Sequence, residues 1–421
     1  MRLNWLFGPG SATSSPAARN ESLVEGNTAF AFDLYSRLKG TRGNLFFSPF
    51  SISTCLAVAY AGARGETEAQ MGRVLRFSKD QARLHSSFGE LCRQLDQMEK
   101  PAVMQIRPGQ GGTRPSVLHV PGIQLSIANA LWAQEGHPFL AAFLKIATDE
   151  YLATVNQANF RTQADAVTGE INRWVSGKTN YKIQNILPPG SVHSLTRLVL
   201  ANAIYFKGAW AVPFEDHATS IQSFHLTTNS KADVPLMSQT DDFKYAGSKD
   251  FQIIELPYIG GALSMVILLP RRIDGCGQLE NQLTPALLSS SLAQMQRQKV
   301  EVYLPRFKLE SSLDLAGTLA QMGMPDAFDL PPADFSGMDG TRDLLISGIF
   351  HKAWGEINEA GTEAAAATAM VMALGCIDGP PPPPPPVFRA DHPFIFLIRD
   401  IRSGSLLFVG RLADPRAGAQ S

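Results

Sequence analysis

Residues 359–369 read EAGTEAAAATA, and this stretch near the carboxyl end of the chain combines a helix-forming composition with a strand-like pattern. Alanine is the best helix former, so the run 364–367 on its own predicts a short exposed helix. The one charge between Gly361 and Ala369 is Glu363, and Gly361 permits unusual backbone angles. At a period of two, the face opposite Glu363 carries only small side chains: Thr362, Ala364, Ala366 and Thr368.

A segment with this pattern can enter the interior of a sheet without burying a charge or forcing a large side chain into packed space. Each main-chain hydrogen bond gained on entry would contribute about 1 kcal/mol, so a whole strand could drive a large rearrangement. We therefore predict a hinge, meaning a loop segment that converts into a strand, formed by Glu359, Gly361, Thr362, Glu363, Ala364, Ala365, Ala366, Ala367 and Thr368.

The overall composition argues against several classes of protein. Of the 421 residues, 44% are hydrophobic and 18% charged, which is typical of a globular protein with a large core. The formal net charge of -1 gives no electrostatic reason to expect a nucleic acid or an anionic membrane as a partner. No apolar run is long enough to span a bilayer, and the apolar stretch 3–7 is too short for a signal peptide.

The chain also lacks the motifs that carry common chemistry. Its cysteines are far apart and form no C-x-x-C pair, which suits a reducing compartment better than a zinc or redox site: Cys55, Cys92, Cys276 and Cys376. There is no G-x-S-x-G, phosphate-loop or metal-ligand motif. We therefore expect no cofactor, no metal and no catalytic residue.

Differences in composition suggest how the chain is divided. Residues 1–20 are rich in Ser, Pro, Gly and Ala and are interpreted as a disordered extension. Residues 98–122 mix Gly and Pro with isolated apolar residues and are interpreted as a flexible inserted loop. Its basic residues leave an interaction site open as an alternative to a solvated insertion without a role. The range 21–415 is expected to form a single domain, followed by a tail at 416–421.

Helix and strand patterns predict an α+β fold. Runs of β-branched and aromatic residues predict strands at 44–47, 123–132, 198–206, 251–257, 263–270, 300–307 and 393–399. Apolar spacing predicts a helix from Leu23 and further helices at 139–151, 164–174, 284–295 and 312–322. Between residues 48 and 65 it predicts a buried helix that begins at Ser48 and ends at Gly65, and the helix that follows is expected to be capped by Thr67. Because there is no βαβ alternation, the sheets should be large and mostly antiparallel or mixed.

Five ordered motifs give the chain a resemblance to a known family. They are NLFFSPFSIS (44–53), ANAIYFKGAWAVPF (201–214), VYLPRFKLESSLDL (302–315), FHKAWGEINEAGTEAAAATA (350–369) and FRADHPFIFLIRDIRSGSLLFVGRLADP (388–415). Together with the sequence between them they cover roughly residues 23–415. The chain resembles the serpins, and specifically their intracellular ovalbumin-like branch, which includes leukocyte elastase inhibitor and serpin B6.

This resemblance implies a fold of three β-sheets with about nine helices and an exposed reactive-centre loop, here 359–387, which contains the proline run 380–386. It also implies a role without catalysis: a protease cleaves the loop, forms an acyl-enzyme, and the hinge inserts as a new strand into the main sheet. The implied partner is a serine protease in a covalent acyl complex, with cysteine proteases as further targets. The chain is expected to be a monomer that is cytoplasmic or also released from cells.

The position of the cleaved bond follows from the same resemblance. In serpins the attacked residue is the seventeenth counted from the hinge glutamate, which places the reactive bond at Gly375–Cys376. Glycine departs from the Arg or Cys common in this branch and fills no specificity pocket, so we expect an elastase-like enzyme with a small pocket. Leu374 or Met372, which suit a chymotrypsin-like protease, and Cys376 itself stay open as alternatives. The loop offers no Lys or Arg to a trypsin-like protease.

The resemblance assigns further residues to two control regions. It implies a shutter beneath the main sheet, where the inserting loop must pass, formed by Ser48, Ser51, Asn202 and His351. Taken alone, a histidine on a strand is more often a satisfied core residue than a functional one. The resemblance also implies a breach at the top of the sheet, where insertion begins, formed by Trp210 and Arg306, with Glu359 as the partner of the arginine.

Three functional hypotheses remain at this point. The first is an inhibitor of elastase- or chymotrypsin-like serine proteases. The second is a non-inhibitory member that serves as a binding, chaperone or storage protein; bulky or charged residues on the inserting face would favour it, and the small residues there argue against it. The third is a scaffold that acts through the basic loop or the proline run, which is either a stiff polyproline II spacer of roughly 20 Å or a ligand for SH3 or WW domains.

Overall fold

The computed structural model describes residues 17–99, 102–106, 116–120, 123–361 and 383–417. The predicted reactive bond, its alternatives Leu374 and Met372, and the hinge beyond Gly361 lie outside these described residues. Ten α-helices occur within them: α1 (Ala17–Leu38), α2 (Pro49–Gly62), α3 (Gly65–Leu75), α4 (Gln81–Asp96), α5 (Ala141–Tyr151), α6 (Phe160–Lys178), α7 (Cys276–Gln282), α8 (Pro285–Gln294), α9 (Ala316–Met322) and α10 (Ser336–Asp339).

The same ranges contain sixteen strands that form three sheets. The strands are β1 (Leu45–Phe47), β2 (Ala102–Ile106), β3 (Ser116–Val120), β4 (Gln124–Gln134), β5 (Thr154–Ala158), β6 (Leu198–Lys207), β7 (Ser220–Thr227), β8 (Ser230–Gly247), β9 (Phe251–Pro257), β10 (Leu263–Pro270), β11 (Gln296–Pro305), β12 (Phe307–Asp314), β13 (Ile346–Ile357), β14 (Val387–Arg389), β15 (Phe394–Asp400) and β16 (Leu406–Leu412). The predicted α+β class is confirmed, with ten helices in the described residues where about nine were expected.

A five-stranded sheet has the order β12-β13-β6-β4-β5. Its neighbouring strands β13 and β6 run parallel and pair from Ile346 with Leu198 to Gly355 with Phe206. The pairs β12–β13 and β4–β6 are antiparallel. The centre of this sheet therefore contains a parallel pair of strands, and each strand of the pair has an antiparallel neighbour on its outer side.

Both faces of the central strand β6 are buried, because its alternate residues enter different cores. On β6, Leu198, Leu200 and Ile204 belong to the larger core, whereas Val199 and Ala203 belong to a smaller core built with α6 and residues 183–192. Helix α2 packs against β6 on the larger-core side. All fourteen of its residues are buried, as expected for a helix that is apolar all round.

A nine-stranded sheet and a two-stranded sheet complete the fold. The nine-stranded sheet is continuous because β8 is long enough to pair with β7, β11 and β9 along successive stretches. Within it, β15 and β16 form a buried antiparallel pair near the carboxyl end of the chain. The short strand β14 pairs in parallel with β11 at one edge.

Several boundaries differ from the predicted ones. Helix α2 begins as predicted, with the Ser48 hydroxyl accepting from the Ser51 amide at 3.0 Å. The prediction that Thr67 caps the next helix is wrong, since α3 begins at Gly65 and the Thr67 hydroxyl accepts instead from the Asp334 amide. The predicted helix 312–322 begins only at Ala316, because β12 continues to Asp314.

Two segments predicted from composition alone also differ. Residues 98–122, interpreted as a flexible loop, contain the antiparallel strands β2 and β3. Both are rich in β-branched or apolar residues, AVMQI and SVLHV, whose strand propensity outweighs the Gly- and Pro-rich texture around them. The extension 1–20 already enters a helix at Ala17, where AARNES supplies good helix formers.

The strands β7 and β8 were not predicted. Their residues 220–247 are largely polar, and about half of the side chains are exposed, so they lack a continuous apolar pattern. They are held by backbone pairing with each other and with β11. Among the helices that the structure describes, none is both long and apolar enough to cross a membrane.

Candidate functional site

A tight turn follows β13 and directs the chain back toward the sheet. The Asn358 amide donates to the Gly361 oxygen at 2.8 Å, and the Gly361 amide donates to the Asn358 oxygen at 3.1 Å. Gly361 has φ +119°, and a Cβ added there would lie 2.3 Å from the Gly208 oxygen. This position requires glycine for two reasons, its left-handed backbone and the close approach of the neighbouring chain.

The turn is tied to the segment that follows β6. The Trp210 amide donates to the Ala360 oxygen at 3.0 Å, the Phe214 amide donates to the Glu359 oxygen at 2.9 Å, and Gly361 forms an antiparallel bridge with Ala209. At Gly361 the chain therefore runs antiparallel to the segment that continues β6. Since β6 and β13 are parallel, a strand continued from Gly361 would be antiparallel to both.

Glu359 is the charged residue of this turn, and the structure places Arg306 against it. Arg306 Nε lies 2.5 and 2.7 Å from the two carboxylate oxygens of Glu359, and the Thr219 hydroxyl donates to the same carboxylate at 2.5 Å. Burial alone would raise the pKa of Glu359, but the hydrogen bonds from Arg306 and Thr219 outweigh it and hold that pKa below its usual value. The carboxylate is thus charged and paired at neutral pH.

Trp210 lies beside this ion pair and supports the turn from below. Its indole stacks on Tyr258 with ring centroids 4.6 Å apart, and Nε1 donates to the Asn358 oxygen at 3.0 Å. The side chain is buried, so both its apolar ring and its single donor are satisfied. The residues assigned to the breach, Trp210 and Arg306, therefore both contact the turn that leads into the predicted hinge.

A second group of polar residues lies beneath the centre of the sheet, and its four predicted members are fully buried: Ser48, Ser51, Asn202 and His351. His351 Nε2 accepts from the Ser48 amide at 3.1 Å, so the ring proton must be on Nδ1. Nδ1 donates to Asn202 Oδ1. Burial lowers the pKa of His351 to about 3, so the ring is neutral and cannot act as a charged switch at ordinary pH.

Asn202 connects the histidine to helix α2 and to the next strand. Its Nδ2 lies 2.9 Å from the Ser51 main-chain oxygen and 2.6 Å from the Ser51 hydroxyl, and it donates to Asn129 Oδ1. Asn129 in turn donates to the Thr54 hydroxyl at 2.9 Å. The network therefore joins β13, β6, β4 and α2, and a strand placed between β13 and β6 would have to separate His351 from Asn202.

Asn129 and Thr54 were missed from the sequence, although a signal was present. Asn129 interrupts the apolar strand residues 127–132, IANALW, at the position that pairs with Asn202. A polar residue in an otherwise apolar buried strand needs a partner, so it predicts a buried polar contact. Thr54 is one turn after Ser51 on α2, where the helix faces the same network.

No group of acidic, histidine or cysteine side chains that could hold a metal ion occurs in the described residues. The turn and the buried network consist instead of paired backbone segments and hydrogen bonds between buried side chains. A comparison with family models matches residues 25–415 to the serpin (serine protease inhibitor) family. The chain belongs to the serpin family.

Curated relatives and solved structures agree with this assignment. Over 405 residues this serpin is 38% identical to leukocyte elastase inhibitor from Xenopus tropicalis, covering 94% of this chain and all of the relative. It is 38% identical to serpin B6 from Macaca fascicularis, with 93% of this chain and 99% of the relative covered. The crystal structure of uncleaved ovalbumin superposes with a TM-score of 0.80 at 32% identity, covering 94% of this chain and all of the other.

Proposed function

We propose that this serpin inhibits serine proteases as a suicide substrate, by cleavage of its loop and insertion of the hinge between β6 and β13. The observation that carries the proposal is the direction of the chain at Gly361, which is already bridged antiparallel to Ala209 and leads toward the boundary between those strands. In the sequence, the residues that follow have only small side chains at the alternate positions 362, 364, 366 and 368. An inserted strand would replace the parallel hydrogen-bond ladder between β6 and β13 with two antiparallel ladders, one to each of these strands.

The chemistry of this proposal belongs to the protease. Its serine oxygen attacks the carbonyl carbon of Gly375, and the amide bond to Cys376 breaks as the nitrogen leaves with a proton from the protease's histidine. The protease stays joined to residue 375 as an ester, and Cys376 becomes a new amino terminus. Insertion of the hinge then removes the ester from the geometry that water needs to hydrolyse it.

The predicted loop sequence directs the proposal to particular proteases. Gly375 suits an elastase-like enzyme, and Leu374 or Met372 suit a chymotrypsin-like one. One relative carries the name leukocyte elastase inhibitor, which supports the elastase-like choice. We propose that the chain acts as a monomer in the cytoplasm. Resemblance to the ovalbumin-like branch supports this, and the three described cysteines, all free, are consistent with it: Cys55, Cys92 and Cys276.

Incubation with pancreatic elastase, chymotrypsin and trypsin tests the proposal directly. We expect a complex that survives SDS with elastase or chymotrypsin and none with trypsin, and mass spectrometry of the released carboxyl-terminal peptide locates the bond. Thr362→Arg puts a charge on the inserting face and should convert the inhibitor into a substrate that is cut without a complex. Glu363→Arg, on the other face, is the matched control and should still form the complex.

A further inference from the structure

Four exposed or half-buried prolines lie at the carboxyl end of the reactive-centre loop, directly before β14, and the inhibitory mechanism gives them no role. The chain has seven consecutive prolines at 380–386, of which the structure describes the last four. Pro383 and Pro384 are exposed, whereas Pro385 and Pro386 are half-buried. Consecutive prolines favour polyproline II, which has no internal hydrogen bonds and about three residues per turn.

The carboxyl end of this run is fixed to the body of the protein. The Glu301 amide donates to the Pro386 oxygen at 3.0 Å, and the next three residues form β14 against β11. The Phe388 side chain is fully buried. The exposed prolines are therefore presented from a rigid edge, and because proline fixes φ, little conformational entropy would be lost when a partner binds them.

The charges that flank a proline run determine which class of proline-binding domain can bind it. There is no Lys or Arg from 364 to 388, so the nearest cation is Arg389. Arg389 Nε donates to Asp391 at 3.2 Å, its guanidinium lies 4.4 Å above the Tyr303 ring, and another nitrogen donates to Gln222. The cation that flanks the run in sequence is therefore already engaged within the protein.

We propose that Pro383–Pro386 form a docking site for a protein domain with an aromatic-lined groove that recognises polyproline II without a flanking cation. Proline rings pack on such aromatic surfaces, and proline carbonyl oxygens that make no bond within the protein can accept hydrogen bonds from the groove. The site is separate from the hinge and does not depend on protease inhibition. It also stays with the protein after loop cleavage, because the run continues into β14 and the buried strands β15 and β16.

Binding measurements on the full chain test this docking site. The probes are a WW domain that binds poly-L-proline and an SH3 domain that needs a flanking cation. We expect the WW domain to bind the wild type, and the double change Pro383→Ala and Pro384→Ala to weaken binding at least tenfold. The matched control changes Pro188 and Pro189, another exposed proline pair on the described surface, to Ala and should leave binding unchanged.

The outcomes separate this proposal from its competitors. Free poly-L-proline should compete with the wild-type chain, and Arg389→Gln should not weaken binding of the WW domain. Binding by the SH3 domain alone, lost in Arg389→Gln, would mean that a charge is read and would overturn the proposal. Absence of binding by either domain would also overturn it, and the run would then be a spacer.

Discussion

The turn at 358–361 and the buried network beneath the sheet both lie at the boundary between β6 and β13, but they differ in their access to water. The turn is held at the surface end of the sheet by an ion pair whose arginine is 44% exposed, and by one strained glycine. The network around Asn202 and His351 is fully buried, and its members bond one another across three strands and a helix. Water reaches only the arginine of the ion pair, since the Glu359 carboxylate is buried, whereas the network is enclosed throughout.

This difference has an energetic consequence. Water can solvate Arg306 when the ion pair breaks, and the Thr219 hydroxyl still donates to the buried Glu359 carboxylate, so breaking the pair costs less than breaking a fully enclosed contact. No water replaces a partner in the enclosed network, so each orphaned donor or acceptor costs its full desolvation free energy. We therefore expect the turn to adjust the ease with which insertion begins, and the network to hold the closed sheet together until the strands separate.

The largest expected effect comes from removing the centre of the network. Asn202→Ala leaves the His351 Nδ1 proton and the Asn129 oxygen buried without partners, and we expect the free energy of unfolding to fall by roughly 3–4 kcal/mol. Urea unfolding measures it. Asn281→Ala, which removes an exposed amide that accepts from Lys39, is the control and should stay within about 0.5 kcal/mol. If both variants lost the same small amount of unfolding free energy, the enclosed network would be no more sensitive than an exposed contact, and the account would be contradicted.

The pH dependence of stability gives the next effect. The pKa of His351 is about 3 in the folded chain and about 6.5 when unfolded, so the unfolded chain binds more protons between these values. Its contribution is therefore complete above about pH 6.5 and falls as pH decreases, by about 1.4 kcal/mol per pH unit. Unfolding titrations between pH 7 and 4.5 measure the slope. The slope should be shallower in His351→Gln, and an unchanged slope would contradict a buried neutral ring.

Gly361→Ala tests the strained turn. The added Cβ would meet the Gly208 oxygen and would need a left-handed backbone, so we expect a loss of roughly 2–3 kcal/mol. Gly340→Ala also has a positive φ, but no atom lies within 4 Å of the added carbon. It should lose roughly 1 kcal/mol, and the difference between the two variants in urea unfolding isolates the close approach.

The smallest expected effect is that of the ion pair between Glu359 and Arg306. Glu359→Gln keeps the shape of the side chain and removes its charge, and we expect a loss of about 1 kcal/mol because Arg306 can turn to water. Because the pKa of Glu359 is lowered in the folded chain, its contribution is present above about pH 4.3 and is lost as pH falls further. Thermal unfolding at pH 7 and 3.5 measures both. A larger loss than that of Asn202→Ala would reverse the comparison.

The sequence predicted the apolar elements of the fold well and the polar ones poorly. Strands 251–257 and 263–270 have the predicted bounds because their apolar runs end at proline or a turn. Strands β7 and β8 could not be predicted, since they are mostly polar and are specified by pairing rather than by burial. The strands in 98–122 were hidden by the glycines and prolines that surround them.

The candidate site was predictable to the extent that it follows family motifs. Those motifs named His351 and Asn202, and the structure brings the two side chains together. Asn129 was missed because no motif named it, although its position opposite Asn202 required a polar partner. The detail that the Gly361 turn already bridges to Ala209 depends on tertiary packing, which no local pattern in the sequence specifies.

The central claim is that the cleaved loop enters the sheet between β6 and β13. The most direct test is the melting temperature of the full chain before and after a protease that the chain does not trap, such as thermolysin, nicks the loop at a single site. Insertion adds a central strand and its hydrogen bonds, so we predict that the nicked protein melts far above the intact one, and that Thr362→Arg loses most of this increase. A nicked wild-type chain that melts at or below the temperature of the intact chain would contradict the account.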